Sequence, residues 1–303
     1  MVRNFNDIIT LARQEGKIRV AVAAAQDESV LQGIDLAKKL NLIDPIFVGD
    51  KVEIIDIIDS HGLDLKDEEI LDVANESDAC YRAIELTLSG KVEAVMKGKM
   101  HSGGFLRAIL NNNKGAGAER LVSCLSLLED PEAGRILYLT DAVVNINPNL
   151  QEKIKIIENA VEFVKLLGIS NPKVAVISAI ELITPNIPST IDAACLSKMS
   201  ERGQIKGAIV DGPFAMDNIF SVEAAQKKDI NSPLVGDADI LLAPNIETAN
   251  AIFKLLVQFG KYKGMGIFIG TKIQTIAVPR ESPPEAQLVG IATGILMLKK
   301  MNK

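Results

Sequence analysis

Short apolar runs alternate with longer stretches in which apolar residues return every three or four positions. The runs predict strands at 19–24, 45–48, 94–97, 136–139, 173–178, 207–210, 239–243, 266–269 and 273–278. The longer periodicity predicts helices at 5–15, 28–40, 78–89, 150–167, 191–201, 221–228 and 284–300. Such alternation implies an α/β fold whose parallel or mixed sheets are flanked by helices.

The stretch 236–257, GDADILLAPNIETANAIFKLLV, condenses this pattern. A buried strand ends in a Pro-Asn turn, and a helix follows with Ile246, Ala249, Phe253, Leu256 and Val257 on one side. Asn245 and Thr248 therefore stand where a strand gives way to a helix, the place where open α/β sheets bind ligands. Polar or glycine-rich breaks at 111–117, 129–134 and 260–266 divide the chain. They suggest one domain of residues 1–133 and a second of 134–264, with 265–303 returning to the first.

At 303 residues and 48% hydrophobic content the chain can bury a sizeable core. A net charge of −6 argues against a nucleic-acid partner, which would need clustered Lys and Arg. Cys80, Cys124 and Cys195 are far apart and form no CxxC or Cys/His cluster, so no metal site is expected. Few cysteines and no signal-peptide pattern point to the cytoplasm, and no run of about 18 apolar residues suggests a membrane span.

Candidate chemistry sits in the loops. Met96-Lys97-Gly98-Lys99-Met100-His101-Ser102-Gly103-Gly104 leads from a strand into a helix carrying Arg107. Glycine permits close backbone approach, and Lys97 and Arg107 can neutralise phosphate, although this is not a Walker loop. Gly98 and Ser102 join them as candidate ligand contacts, and His101 is a general acid/base or a loop hydrogen-bonding group. His61, in a polar linker, has no evident partner. Asp141 and Asp211 are read at strand ends, as ligand contacts or as caps. Cys124 reads as a buried structural thiol, and its neighbour Ser123 is a further candidate contact. In Pro279-Arg280-Glu281-Ser282-Pro283-Pro284-Glu285, Arg280 can grip an oxyanion. Glu281 and Glu285 either accept a proton or complement a helix dipole.

Read in order, these segments resemble the phosphate acetyl/butyryltransferase family, the butyryltransferases above all. The likeness runs through Val20-Ala21-Val22-Ala23-Ala24-Ala25-Gln26-Asp27-Glu28, Met96-Lys97-Gly98, Phe105-Leu106-Arg107 and Leu139-Thr140-Asp141. It continues through Pro188-Ser189-Thr190-Ile191-Asp192-Ala193-Ala194, Arg202-Gly203-Gln204-Ile205-Lys206-Gly207, Val210-Asp211-Gly212-Pro213 and the stretch 236–257. The resemblance implies a two-domain scaffold like that of isopropylmalate dehydrogenase, commonly a homodimer, with substrates meeting in an interdomain cleft. It implies reversible transfer of a short or branched acyl group between CoA and phosphate by direct thiol attack. Acyl-CoA, phosphate and acyl phosphate are then substrates, and no cofactor is permanently bound.

By the same resemblance Arg107 and Arg280 hold phosphate or the oxyanion. Glu281 or Glu285 serves as base beside Ser282. Two departures stand out. Pro279 replaces a serine and so removes a hydroxyl and a backbone N–H. Gly115-Ala116-Gly117-Ala118 replaces an arginine-bearing loop. Two other readings compete: a catalytically altered CoA-binding protein on the same scaffold, and a metal-dependent hydroxyacid dehydrogenase using Asp237 and Asp239.

Overall fold

The computed structural model describes residues 2–112, 120–279 and 282–301. The chain begins with α1 (Phe5–Glu15), β1 (Ile18–Ala23), α2 (Glu28–Lys39), β2 (Ile43–Gly49), α3 (Lys51–Ser60) and β3 (Glu69–Asp72). There follow α4 (Glu76–Leu88), β4 (Ala94–Lys97) and α5 (Ser102–Asn112). The next stretch holds β5 (Ser123–Glu129), β6 (Ile136–Thr140), α6 (Leu150–Leu166), β7 (Lys173–Ile177), α7 (Pro188–Glu201) and β8 (Ile209–Phe214). After these come α8 (Met216–Phe220), α9 (Val222–Lys227), β9 (Ile240–Leu242), α10 (Ile246–Gln258) and β10 (Lys263–Ile269). Last are β11 (Thr275–Ile276), α11 (Pro284–Leu296) and a terminal π-helical turn, Met297–Met301.

Residues 5–120 and 265–303 form one compact unit, and residues 1–4 and 121–264 the other. The first contains a parallel sheet in the order β11-β4-β1-β2-β3. Three of its helices start where a side chain satisfies orphan N–H groups. Asp27 caps α2 through the amide of Val30, Asp50 caps α3, and Asn75 caps α4. The helix α11 is buried from Ala286 to Leu296 and packs against α1 and α2. Each fully buried Leu, Ile or Val there contributes about 1.5–3 kcal/mol. Gly33 in α2 permits this close approach, since a Cβ would collide with the side chain of Gln287.

The second unit contains the neighbouring strands β5-β6-β9-β7-β8. β6, β9, β7 and β8 are parallel neighbours, whereas β5 runs antiparallel to β6. Asp130 closes the β5–β6 turn by accepting from the amides of Glu132 and Ala133 at 2.8 and 2.9 Å. A division at residue 133 would separate β5 from its hydrogen-bonded partner, so the boundary falls before Leu121. Leu128, Leu137, Leu139, Ala175, Ile177 and Leu241 build the core of this unit, and Phe214, Ile219 and Ala249 pack on it. The α6 start carries a capping box, with Asn149 and Glu152 each accepting from the other's amide.

Neither α3 nor β3 nor β5 was among the elements expected from the pattern. α3 is a short helix in which only Ile54 and Ile58 are buried, and β3 is an edge strand without a buried residue. β5 is almost wholly buried, but Ser123 and Ser126 interrupt its apolar run.

Candidate functional site

The sequence-named residues lie on both units. In the first, the chain passes from β1 outward to β2 and β3, then returns to place β4 on the other side of β1. The carboxyl ends of β1 and β4 therefore flank the reversal of strand order, where open α/β sheets form a crevice. Gly98 and Lys99 extend the β4–β1 contact by donating to the carbonyls of Ala23 and Ala24 at 2.8 and 2.7 Å. A Cβ on Gly98 would collide with both carbonyl oxygens, so glycine is a packing requirement here. Lys97 is only 2% exposed, and its ammonium donates to the carbonyls of Gly98 at 3.2 Å and Met100 at 3.5 Å. Its charge thus braces the turn that leads into α5.

His101 lies just ahead of α5, Ser102 opens it, and Arg107 stands exposed one and a half turns along. A groove of about 680 Å³ runs between α5 and the head of α4. Gly104, Arg107 and Ala108 line it from α5, with His101 and Met100 at one end. Asn75, Glu76 and Tyr81 face them from α4. Sequence pattern alone passes over Asn75 and Tyr81. The Asn75-Glu76-Ser77-Asp78 run is the helix-start signal that would have pointed there, because Asn75 accepts from the amides of Ser77 and Asp78. Cys80 also lines the groove, but burial pushes its thiol up to about 12, far from a reactive thiolate.

Near the head of α11, Pro283 is the N-cap residue and Pro284 the first helical residue. The carbonyl of Ser282 accepts from the hydroxyl of Ser29 at 2.6 Å. Glu285 is exposed in the first turn.

In the second unit, Asp141 follows β6, and Asn245 and Thr248 follow β9, at one edge of a parallel pair. Asn245 caps α10, its side-chain oxygen accepting from the amide of Thr248 at 3.0 Å. Asp141 is 3% exposed, and both its oxygens are surrounded by donors. Burial pushes its pKa above the ordinary carboxylate value, while hydrogen bonds from Val143, Val144, Asn145 and Cys124 pull against that shift. Ser123 is buried, and its hydroxyl accepts from Asn159 at 2.9 Å.

Asp211 does not end its strand, since β8 continues to Phe214. Its carboxylate accepts from Ser197 at 2.8 Å and Ser232 at 2.6 Å, tying α7 and the 232 loop to the sheet. His61 also departs from expectation. Its Nε2 lies 2.9 Å from Glu28, and its Nδ1 lies 3.0 Å from both Ser60 and the Ile57 carbonyl. Among the described residues no group of His, Cys, Asp or Glu is arranged to hold a metal ion. Asp237 is paired with Lys173, and Asp239 accepts from the Lys173 amide at 2.8 Å, both at the amino end of β9.

A model of the family described as Phosphate acetyl/butaryl transferase matches residues 69–274. The phosphate butyryltransferase of Clostridium acetobutylicum is 43% identical over 297 residues, covering 98% of this chain and 99% of that relative. The chain belongs to this family. The phosphate acetyltransferase of Thermotoga maritima is also similar, at 38% identity over 285 residues, 94% of this chain and 96% of that relative. A crystal structure of a branched-chain phosphotransacylase from Enterococcus faecalis V583 aligns with a TM-score of 0.76 and 28% identity. It covers 93% of this chain and 99% of that one.

Within the phosphate acetyl/butyryl transferase family, two positions that the resemblance singles out lie outside the described residues, Arg280 and Glu281. So does the segment 115–118. Arg107, Ser282, Glu285 and Pro279 are described, and all four belong to the first unit.

Proposed function

We propose that this protein is a phosphate acyltransferase that moves a short or branched acyl group reversibly between CoA and phosphate. The match along 98% of the chain to a phosphate butyryltransferase is the observation that carries this reading. Fold-level likeness alone would leave the chemistry open.

CoA bears phosphates at one end and a thiol at the other. The groove beside Arg107 suits the anionic end, because its exposed guanidinium can pair with phosphate. At the reacting end, Glu281 or Glu285 takes the thiol proton. Sulfur bonds to the carbonyl carbon of the acyl phosphate, and the carbon–oxygen bond to phosphate then breaks. Phosphate leaves with the electron pair. Arg280 offsets the charge that develops on the carbonyl oxygen. Asn245 and Thr248 shape the pocket.

No permanently bound cofactor enters this scheme. We assign the protein to the cytoplasm, where its few, widely spaced cysteines fit a reducing milieu. Among the described residues no helix is long and apolar enough to cross a membrane. We also assign a homodimer; Leu255 and Phe259 on and just beyond α10 are 57% and 80% exposed, the kind of apolar surface that assembly covers.

Pro279 favours a second reading, CoA binding without turnover, because it lacks the hydroxyl and N–H of the serine implied there. Calorimetry with CoA, paired with a turnover assay on butyryl-CoA and phosphate, separates the two. Binding together with turnover supports the acyltransferase, and binding alone supports the second reading.

A further inference from the structure

Asp141 is among the most heavily hydrogen-bonded carboxylates of the second unit. Its Oδ1 accepts from the amides of Val143 and Val144, both at 2.9 Å. Its Oδ2 accepts from the Cys124 amide at 3.1 Å, the Asn145 amide at 3.3 Å and the Asn145 side chain at 2.6 Å. A carboxylate offers about four lone-pair directions, so these donors leave none for a substrate.

The donors all come from β5 and from the loop 142–146 that follows β6. Two further bonds hold this corner: at the end of β6 Thr140 Oγ1 donates to the Cys124 carbonyl of β5 at 2.9 Å, and from the loop Asn145 Nδ2 donates to the carbonyl of Val122, just ahead of β5, at 3.0 Å. On its other side the loop supports α10. The amide of Ile246 donates to the Ile146 carbonyl at 3.0 Å, and Asn250 Nδ2 donates to the Ala142 carbonyl at 3.2 Å. Ile246 opens α10, so Ile146 satisfies one of the N–H groups that every helix start leaves without an internal partner. The two carbonyls that hold the first turns of α10 thus belong to the two ends of the segment that Asp141 gathers.

We infer that Asp141 is a positioning residue, which fixes the loop 142–146 and through it the first turn of α10, where Asn245 and Thr248 sit. It acts without touching substrate. The arrangement requires an acceptor on both oxygens. An amide in its place keeps one oxygen for Val143 and Val144 but turns an NH₂ group toward the Cys124 and Asn145 donors. This inference rests on the proposed reading of Asn245 and Thr248 as pocket residues.

The test is a double-mutant cycle with Asp141→Asn and Asn245→Ala. It is read as kcat/KM for acyl-CoA synthesis and, in parallel, as amide hydrogen exchange at Ile246 and Thr248. Residues in one network are expected to couple, so Asp141→Asn alone lowers kcat/KM about tenfold and speeds exchange at both amides. The double variant is then no more than about twofold worse than the poorer single variant. Losses that multiply overturn the inference, and so does a rise in KM for one substrate alone with exchange unchanged, the behaviour of a direct ligand. If Asn245→Ala leaves kcat/KM intact, the pocket reading fails and takes the inference with it, a result distinct from multiplying losses. Asn145→Ala, which removes one side-chain donor and the Val122 link, runs the same cycle if Asp141→Asn does not fold.

Discussion

The hydroxyl of Ser29 donates to the carbonyl of Ser282 at 2.6 Å across 253 positions of sequence. The first turn of α2 thereby holds the backbone just ahead of α11, inside the stretch 279–285 to which the proposed chemistry is assigned. Ser29→Ala is expected to cost about 1 kcal/mol in stability. It should also lower kcat about threefold while changing KM for CoA less, because it disturbs the reacting end and not the groove. Ser29→Thr keeps the donor and should recover most of the rate. Steady-state kinetics on the two variants, with urea denaturation, checks both parts.

Gly98 meets the backbone of Ala23 and Ala24, not flexible side chains. Gly98→Ala must therefore push β4 and β1 apart at their carboxyl ends. The expected loss is about 1–3 kcal/mol, measured as a shift in denaturation midpoint, together with reduced activity. A Gly103→Ala control faces open space and should be close to neutral by the same measurement.

Arg107 lines the groove as an exposed guanidinium, and its removal should leave the core untouched. Arg107→Ala is expected to raise KM for CoA about tenfold with little change in Tm. Raising the salt concentration should weaken wild-type CoA binding more than that of the variant, since an exposed charge pair is screened. Titration calorimetry at two ionic strengths tests this.

Much of this architecture was legible in the residues. The periodicity of Phe5–Glu15 and the apolar run Ala94–Lys97 match α1 and β4 end for end. The Pro-Asn turn before α10 carried the cap that Asn245 supplies. β5 escaped because Ser123 and Ser126 interrupt its apolar run, although both are buried. The surroundings of Asp141 and Asp211 escaped for another reason. Asp141 is held mostly by backbone amides, which have no sequence signature, and Asp211 by serines brought from α7 and the 232 loop. The groove at Arg107 needed α4 and α5 side by side, which no linear pattern supplies.

Asp130 and Tyr262 give the second unit a pH signature. Tyr262 donates to the Asp130 carboxylate at 2.6 Å. Burial raises the pKa of Asp130, but the Tyr262 bond and the amides of Ala133 and Glu132 outweigh it and hold the carboxyl below the ordinary carboxylate range. Burial and Asp130 push Tyr262 up to about 12. The lowered carboxylate contributes stability that is present above about pH 4 and is lost as pH falls through its folded value. The raised phenol contributes stability that is present below about pH 10 and is lost as pH rises through its folded value. Tyr262→Phe should cost about 1 kcal/mol at pH 7, toward the low end for a charged acceptor because the pair is partly solvated. The gap to wild type should narrow at both extremes. Tm measured from pH 3 to pH 11 reads this directly.

The central claim concerns acyl transfer between CoA and phosphate. The most direct measurement follows free CoA and acyl phosphate together as butyryl-CoA is mixed with the protein, with and without phosphate, and with acetyl-CoA and a branched acyl-CoA in parallel. The account predicts one acyl phosphate for each CoA released, strict dependence on phosphate, and loss of turnover in Arg280→Ala. No phosphate-dependent release from any of the three thioesters, or release of CoA without acyl phosphate, would contradict it.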